Sequence, residues 1–302
     1  AAAGQLCDTF HRVAGQLDAV VQGAHDDVAA AAATVNEAAA QVARLNAQIV
    51  QAEVSGQEAG DLRDRRDTLV AQLSELAGVS SFEAEDGTTT VLLASHTLVQ
   101  GDFAAALEVS QGGDGRSAVA YTARGASVDI TAPLSAGEMG GNLSVQATIL
   151  DDVMVGLDQL AHDLGAAINT RHGAGFDLDG NPGGDLLSIP GTAPGAAAAI
   201  EVAAGVTARS LAASSSATGV PGNNENALAL ARLAEQGAAT GGVTFAEAAA
   251  NLVGEVGLIT EDAMRSAVMR KDELTHLQTL QQSSDGVSLD EEMVQLVQFQ
   301  RS

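Results

Sequence analysis

The sequence predicts an α+β multidomain protein: a long helical bundle or coiled-coil domain built from the N- and C-terminal segments, with a β-rich domain inserted between them. Three observations predict it. An apolar repeat of seven fills roughly the first fifty residues, helical spacing returns near the C-terminus, and β-branched runs separated by Asp-Gly and Gly-rich turns lie between.

The repeat can be read residue by residue. Val21, Val28, Val35, Val42 and Ile49 form one row, and Leu17, Ala24, Ala31, Ala38 and Leu45 form a second. This is an a/d seam, and Phe10 extends it backward, so one helix of about forty-five residues is expected, with a rise of ~1.5 Å per residue. Ser55, Gly56 and Gly60 end the pattern. Asp61 is the predicted N-cap of a second helix carrying Leu62, Leu69, Leu73 and Leu76. The two make a helical hairpin whose Arg63-Asp64-Arg65-Arg66-Asp67 face mixes signs as a solvated surface does.

From Val79 the texture becomes that of strands. Asp86-Gly87 between 79–85 and the run 88–93 predicts a β-hairpin, Gly112-Gly113-Asp114-Gly115 a second turn, and 118–121 with 127–131 further strands. Leu150, Val153, Leu157, Leu160, Leu164 and Ile168 then step by three or four, which predicts an amphipathic helix at about 146–172. A Gly/Pro-rich passage, 173–195, and a small-residue segment to about Gly222 leave room for one or two strands. A helix restarts over 226–233. Leu252, Val256, Ile259, Ala263, Ala267, Leu274 and Leu277 continue at helical spacing, 283–286 interrupts, and Leu289, Met293 and Leu296 resume. The predicted domains are a discontinuous helical rod, 1–78 with 223–302, and the β-rich insert 79–222.

Composition narrows the function. A formal charge of −25, from 39 acidic and 14 basic residues, repels phosphate backbones and anionic membrane faces, which argues against nucleic-acid and membrane partners. No Trp, one Tyr (Tyr121) and six Phe leave few aromatic anchors for a large ligand pocket, while abundant Ala favours closely packed helices. Cys7, the one cysteine, can form no intramolecular disulfide and reads as a small buried apolar residue. No apolar run reaches bilayer length, and the first residues lack the basic-then-apolar order of a cleaved signal. The chain starts without Met and stops at Phe299-Gln300-Arg301-Ser302 within helical spacing, so it reads as the core of something longer.

Searching for chemistry returns little. His11, His25, His96, His162, His172 and His276 fit no zinc spacing, and neither a Gly-x-Ser-x-Gly elbow nor a phosphate-cradling Gly-x-x-x-x-Gly-Lys loop is present. No enzyme, cofactor or metal is expected. Asp177-Leu178-Asp179-Gly180-Asn181, with Asp185 beyond, is read as a tight turn held by Asx hydrogen bonds, with a calcium loop as the competing reading; Pro182-Gly183-Gly184 and the missing glutamate disfavour the latter. Asp290-Glu291-Glu292 is read as favourable charge in the first turn of a helix starting after Ser288.

Several strings together resemble the flagellar hook-associated protein 1 family. They are Leu45-Asn46-Ala47-Gln48-Ile49, Asp61-Leu62-Arg63-Asp64-Arg65-Arg66-Asp67-Thr68-Leu69-Val70, Thr97-Leu98-Val99-Gln100-Gly101, Met139-Gly140-Gly141-Asn142-Leu143, Phe176-Asp177-Leu178-Asp179-Gly180-Asn181, Asn226-Ala227-Leu228-Ala229-Leu230 and Gly286-Val287-Ser288-Leu289-Asp290-Glu291-Glu292. The last is shared with flagellins and other axial proteins. The ordered set spreads along nearly the whole chain. The resemblance implies an exported structural subunit of the bacterial flagellum, leaving by the flagellar type III pathway and self-assembling into a homo-oligomeric ring at the hook–filament junction. Its implied partners are the hook protein, the second junction protein and an export chaperone. It also implies that both terminal segments lie outside this chain; where longer relatives carry an extra outer domain, between Leu187-Ser188-Ile189 and Asn226-Ala227-Leu228, this chain has a short Ala/Gly-rich connection, so that domain is expected to be absent or vestigial. Candidate assembly faces follow the rows Val21, Val28, Val35, Val42 and Ile49 on the first helix and Val256, Leu274 and Leu277 on the last. Two other readings stay open: a flagellin or the second junction protein, and a helical adhesin or signalling module.

Overall fold

The computed structural model describes residues 2–285. Helix α1, Ala2–Val54, runs unbroken for 53 residues, about 80 Å at ~1.5 Å per residue. It starts earlier than the predicted forty-five residues require because the seam also continues back through Ala14 and Cys7, both buried. Helix α2, Gly60–Ala77, folds back against it. Asp61 is not its N-cap. The cap position falls to Ala59, without a side-chain bond, and the Ala59 carbonyl accepts from Leu62 and Arg63 N–H. Asp61 instead sits in the first turn, where its charge favours the positive end of the helix.

Two antiparallel sheets pack on this hairpin. The first has strands β1 (Ser80–Glu83), β2 (Thr89–Leu93), β3 (His96–Gln100) and β4 (Phe103–Ala104) in that order; the second has β5 (Ala106–Gln111), β6 (Ser117–Ala123) and β7 (Ala126–Asp129). The Asp86-Gly87 hairpin forms as predicted, Glu83 opposite Thr89. Strand β7 stops at Asp129, short of Thr131, because the Thr131 hydroxyl turns inward to accept the Val119 N–H at 2.7 Å. Strands β3, β4 and β5 go beyond the sequence reading. Leu93 faces His96 across a turn made by Ala94 (φ 48°) and Ser95 (φ 67°), left-handed residues that carry no Gly or Asn signal.

One hydrophobic cluster joins both sheets to the helices. Val28, Val35 and Val42 of α1 and Leu73 of α2 belong to it with Val91, Leu98, Val119 and Ile130. Met139 joins from α3, Gly137–Thr148, which passes through a wide π-turn, Ile149–Val153, into α4, Met154–Gly173. This helical run is longer than the predicted 146–172. Its start is locked to the end of α2: Gly78 (φ 65°) and Gly137 (φ 69°) face each other's helices, and a Cβ on Gly137 would lie 2.6 Å from the Ala77 nitrogen.

The following segment holds two short strands, β8 (Leu187–Ser188) and β9 (Glu201–Val202), with the short helix α5 (Ala196–Ala199) between them. Helix α6, Glu225–Ala231, ends in a 3₁₀ turn, Arg232–Glu235, and α7, Phe245–Asp285, has 41 residues. The interruption expected at 283–286 does not occur through Asp285, since Ser283 and Ser284 remain helical; 286 onward, including Leu289, Asp290, Glu291, Glu292, Met293 and Leu296, lies outside the described residues. The chain forms two compact units, one ending at Phe245 and the other beginning at Ala246. No described helix is long and apolar enough to cross a membrane.

Candidate assembly surfaces

Val21, Val28, Val35, Val42 and Ile49 are all within 1 % of complete burial, so this row builds the protein's own core. Its side chains offer no surface to a partner. What α1 adds beyond the apolar row is a set of polar anchors that finish sheet ladders. Asn46 accepts the Thr89 N–H and donates to the Thr89 carbonyl, both at 2.9 Å, and donates also to the Gly101 carbonyl at 3.0 Å. Asn36 does the same for Leu107 on the edge strand β5, accepting at 2.7 Å and donating at 2.9 Å. Each carboxamide thus supplies the donor and acceptor that a neighbouring strand would.

Other polar residues extend the pattern. Gln146 on α3 accepts the Ser117 N–H and donates to the Val21 carbonyl, each at 3.0 Å, while His25 meets the Ser117 hydroxyl at 2.8 Å. Buried Arg66 donates to the Gly87 carbonyl at 2.8 Å and lies 3.9 Å from Glu83, which also pairs with Arg63. Sequence reasoning missed these anchors. The available signal was Asn46 standing in register with Ala32 and Ala39, a polar residue on an otherwise apolar side of α1.

Two open surfaces lie on the helices that the sequence singles out. Between α1 and α2 a groove of about 410 Å³ is lined by Arg44, Leu45, Gln48, Arg65, Thr68 and Leu69, and neither Arg44 nor Arg65 pairs with a carboxylate among the described residues. On α7 the predicted face is open: Val256, Leu274 and Leu277 are 38 %, 53 % and 58 % exposed.

The Asp177 string forms the tight turn read from sequence. Asp177 Oδ1 accepts the Asp179 and Asn181 N–H groups, each at 2.8 Å, and Gly180 takes φ 78°. The Asn181 N–H bond holds the Asp177 carboxyl below the usual carboxylate range. Arg209 pairs with Asp179 across the turn. No group of three or more His, Cys, Asp or Glu able to hold a metal occurs among the described residues.

A long helical hairpin that closes two small sheets with its own side chains, and keeps apolar rows exposed elsewhere, places the protein among subunits that work by packing. The family model for the flagellar hook-associated protein FlgK helical domain matches residues 1–187, more than half of the chain. The chain belongs to the FlgK family of flagellar hook-associated proteins. It is 37 % identical over 172 residues to flagellar hook-associated protein 1 of Salmonella typhimurium, covering 54 % of this chain and 31 % of the relative. With flagellar hook-associated protein 1 of Bacillus subtilis it shares 25 % identity over 335 residues, 98 % of this chain and 65 % of the relative. The flagellar hook junction protein FlgK from Burkholderia pseudomallei superposes with a TM-score of 0.56 at 26 % identity, over 61 % of this chain and 34 % of that one. The chain therefore spans about one third to two thirds of the relatives it matches.

Proposed function

We propose that this protein is a non-enzymatic structural subunit of the bacterial flagellum that assembles with copies of itself at the junction between hook and filament. Hook protein and the second junction protein are its neighbours on either side, and an export chaperone escorts it to the flagellar type III pathway. The observation that carries this reading is the family match over residues 1–187, joined to the open apolar row of α7.

In the same reading, the helical rod comprises 1–78 and 223–302, with 79–222 as the β-rich part. The exposed α7 row Val256, Leu274 and Leu277 is the face by which this helix joins the assembly. Replacing both leucines by glutamate, Leu274→Glu with Leu277→Glu, tests this. In cells whose only copy is the full-length variant, export should persist while filaments detach from hooks. Normal filament attachment would remove the α7 row from the assembly.

A further inference from the structure

The first sheet ends on β1 and the second on β7, and every residue of both strands is exposed. The ladders fix which way their backbone groups point. Ala84 N–H donates to the Thr88 carbonyl, so the alternate residues Phe82 and Ser80 bond toward Thr90 and Leu92 of β2. The N–H and C=O of Ser81 and Glu83 therefore point off the sheet. Thr89, opposite Glu83, gives its own groups to Asn46 on the far side, which agrees with this phase. In β7, Ile130 N–H donates to the Val119 carbonyl, so Val128 and Ala126 bond toward β6 and the groups of Ser127 and Asp129 point off the edge. Among the described residues nothing else bonds to the main chain of Ser81, Glu83, Ser127 or Asp129.

Elsewhere the protein covers such groups. Asn36 takes both main-chain groups of Leu107 on the edge strand β5, as Asn46 does for Thr89. Strands β1 and β7 have no such carboxamide, and neither Ser80-Ser81-Phe82-Glu83 nor Ala126-Ser127-Val128-Asp129 contains the Lys or Pro that blunts an open edge. Each instead presents one large apolar side chain, Phe82 at 55 % and Val128 at 46 % exposure. Beside β1 there is room for another strand: a groove of about 440 Å³ separates it from α2 and is lined by Val70, Ala71 and Phe82.

The two edges fit each other in one register. Set antiparallel with Ser81 opposite Asp129 and Glu83 opposite Ser127, all the outward groups of both strands pair at once. A slip of one residue opposes outward groups to inward ones, and a slip of two leaves one of the pairs unmade. The same register places Phe82 directly opposite Val128 as a non-hydrogen-bonded pair, the position where cross-strand side chains come closest. Glu83 and Asp129 each face a serine, so no like charges are opposed.

We propose that β1 of one copy adds to β7 of a second copy, joining the first sheet of one to the second sheet of the next. The two edges are different patches of one chain, so the contact is heterologous and repeats head to tail, closing into a ring when the rotation allows. Pairing of β1 with another β1 would leave both β7 edges bare, whereas head-to-tail pairing covers each kind. The inference rests on the self-assembly reading above and gives that assembly a named interface.

The test uses two versions of the protein, one Phe82→Cys and one Val128→Cys, each in a Cys7→Ala background. Both substituted side chains are exposed and neither carries a ladder bond. A non-hydrogen-bonded antiparallel pair brings Cα atoms to ~4.5 Å, within reach of a disulfide, so oxidation of the purified mixture should trap even a transient contact as a linked dimer. Ser80→Cys mixed with Val128→Cys is out of register and should give several-fold less. Ser81→Pro added to the Phe82→Cys version removes only an outward N–H, and should lower the yield several-fold with an unchanged circular dichroism spectrum. The proposal is overturned by no dimer in the first mixture, by equal yield out of register or with the proline, or by Phe82→Cys linking to itself as readily as to Val128→Cys. Filament attachment by the wild-type protein in cells is scored separately. A dimer without attachment would remove the junction role and leave the interface standing; attachment without a dimer would do the reverse.

Discussion

Asn46 and Thr89, 43 residues apart, clasp each other in both directions: the Asn46 carboxamide accepts from the Thr89 N–H and donates to its carbonyl, each at 2.9 Å. The side chain is fully buried, and its third bond, to the Gly101 carbonyl, closes the end of β3 as well. Without it, one buried N–H and two carbonyls lose their partner. Asn46→Ala should therefore cost roughly 2–4 kcal/mol. Urea unfolding of the variant against the parent checks this, and a loss below about 0.5 kcal/mol would show that the clasp is idle.

The two valine rows should respond differently. Val35 is fully buried and Val268 is 60 % exposed. Val35→Ala is expected to destabilise the chain by about 1–3 kcal/mol, and Val268→Ala by no more than about 0.5 kcal/mol, in the same unfolding measurement.

Gly137 combines a left-handed backbone, φ 69°, with a position whose added Cβ would meet the Ala77 nitrogen at 2.6 Å. Gly137→Ala should cost about 2 kcal/mol or more, since strain and overlap act together. Gly141, where an added Cβ meets nothing within 4 Å, is the control, and Gly141→Ala should leave the melting temperature unchanged or slightly raised.

Acid sensitivity follows from carboxyls held below their ordinary range, four aspartates and Glu225 among the described residues. The hydroxyls of Thr88 and Thr131 lower Asp86 and Asp129, and the Asn181 N–H lowers Asp177. At Asp163 burial pushes upward, but the Thr240 hydroxyl and N–H outweigh it. Each group binds its proton more weakly when folded than when unfolded, where aspartate titrates near ~3.9. This stability is fully present above that value and is lost as pH falls through the folded values. The urea midpoint should be level from about pH 7 to pH 5 and fall below about pH 4. Asp177→Asn should make that fall shallower.

Cys7 is buried, and burial pushes its thiol up from the ordinary value. A thiol reagent at neutral pH should label it only as fast as the protein opens. Immediate stoichiometric labelling of the folded chain would contradict its place in the α1 seam.

The legible parts of the fold were those with a period or a turn signal. The seven-residue rows give α1, Asp86-Gly87 gives the β1–β2 hairpin, and the Asp177 string gives its Asx turn. The hidden parts carry no such signal. Ala94 and Ser95 make a left-handed turn without glycine, and Ser283 and Ser284 continue a helix that composition would stop. The a/d seam also says only that a row is buried, never against what. Two sheets take the place of a second coiled-coil strand, which is why Val21 through Ile49 face inward while the anchors Asn36 and Asn46 decide how the sheets sit.

The central claim is the junction role, and imaging flagella tests it most directly. The protein would be produced in a bacterium lacking its own hook-associated protein 1, and hooks would be examined by electron microscopy. Filaments attached to hooks are the expected result. Bare hooks, filament protein shed into the medium and the full-length protein confirmed as exported would contradict it.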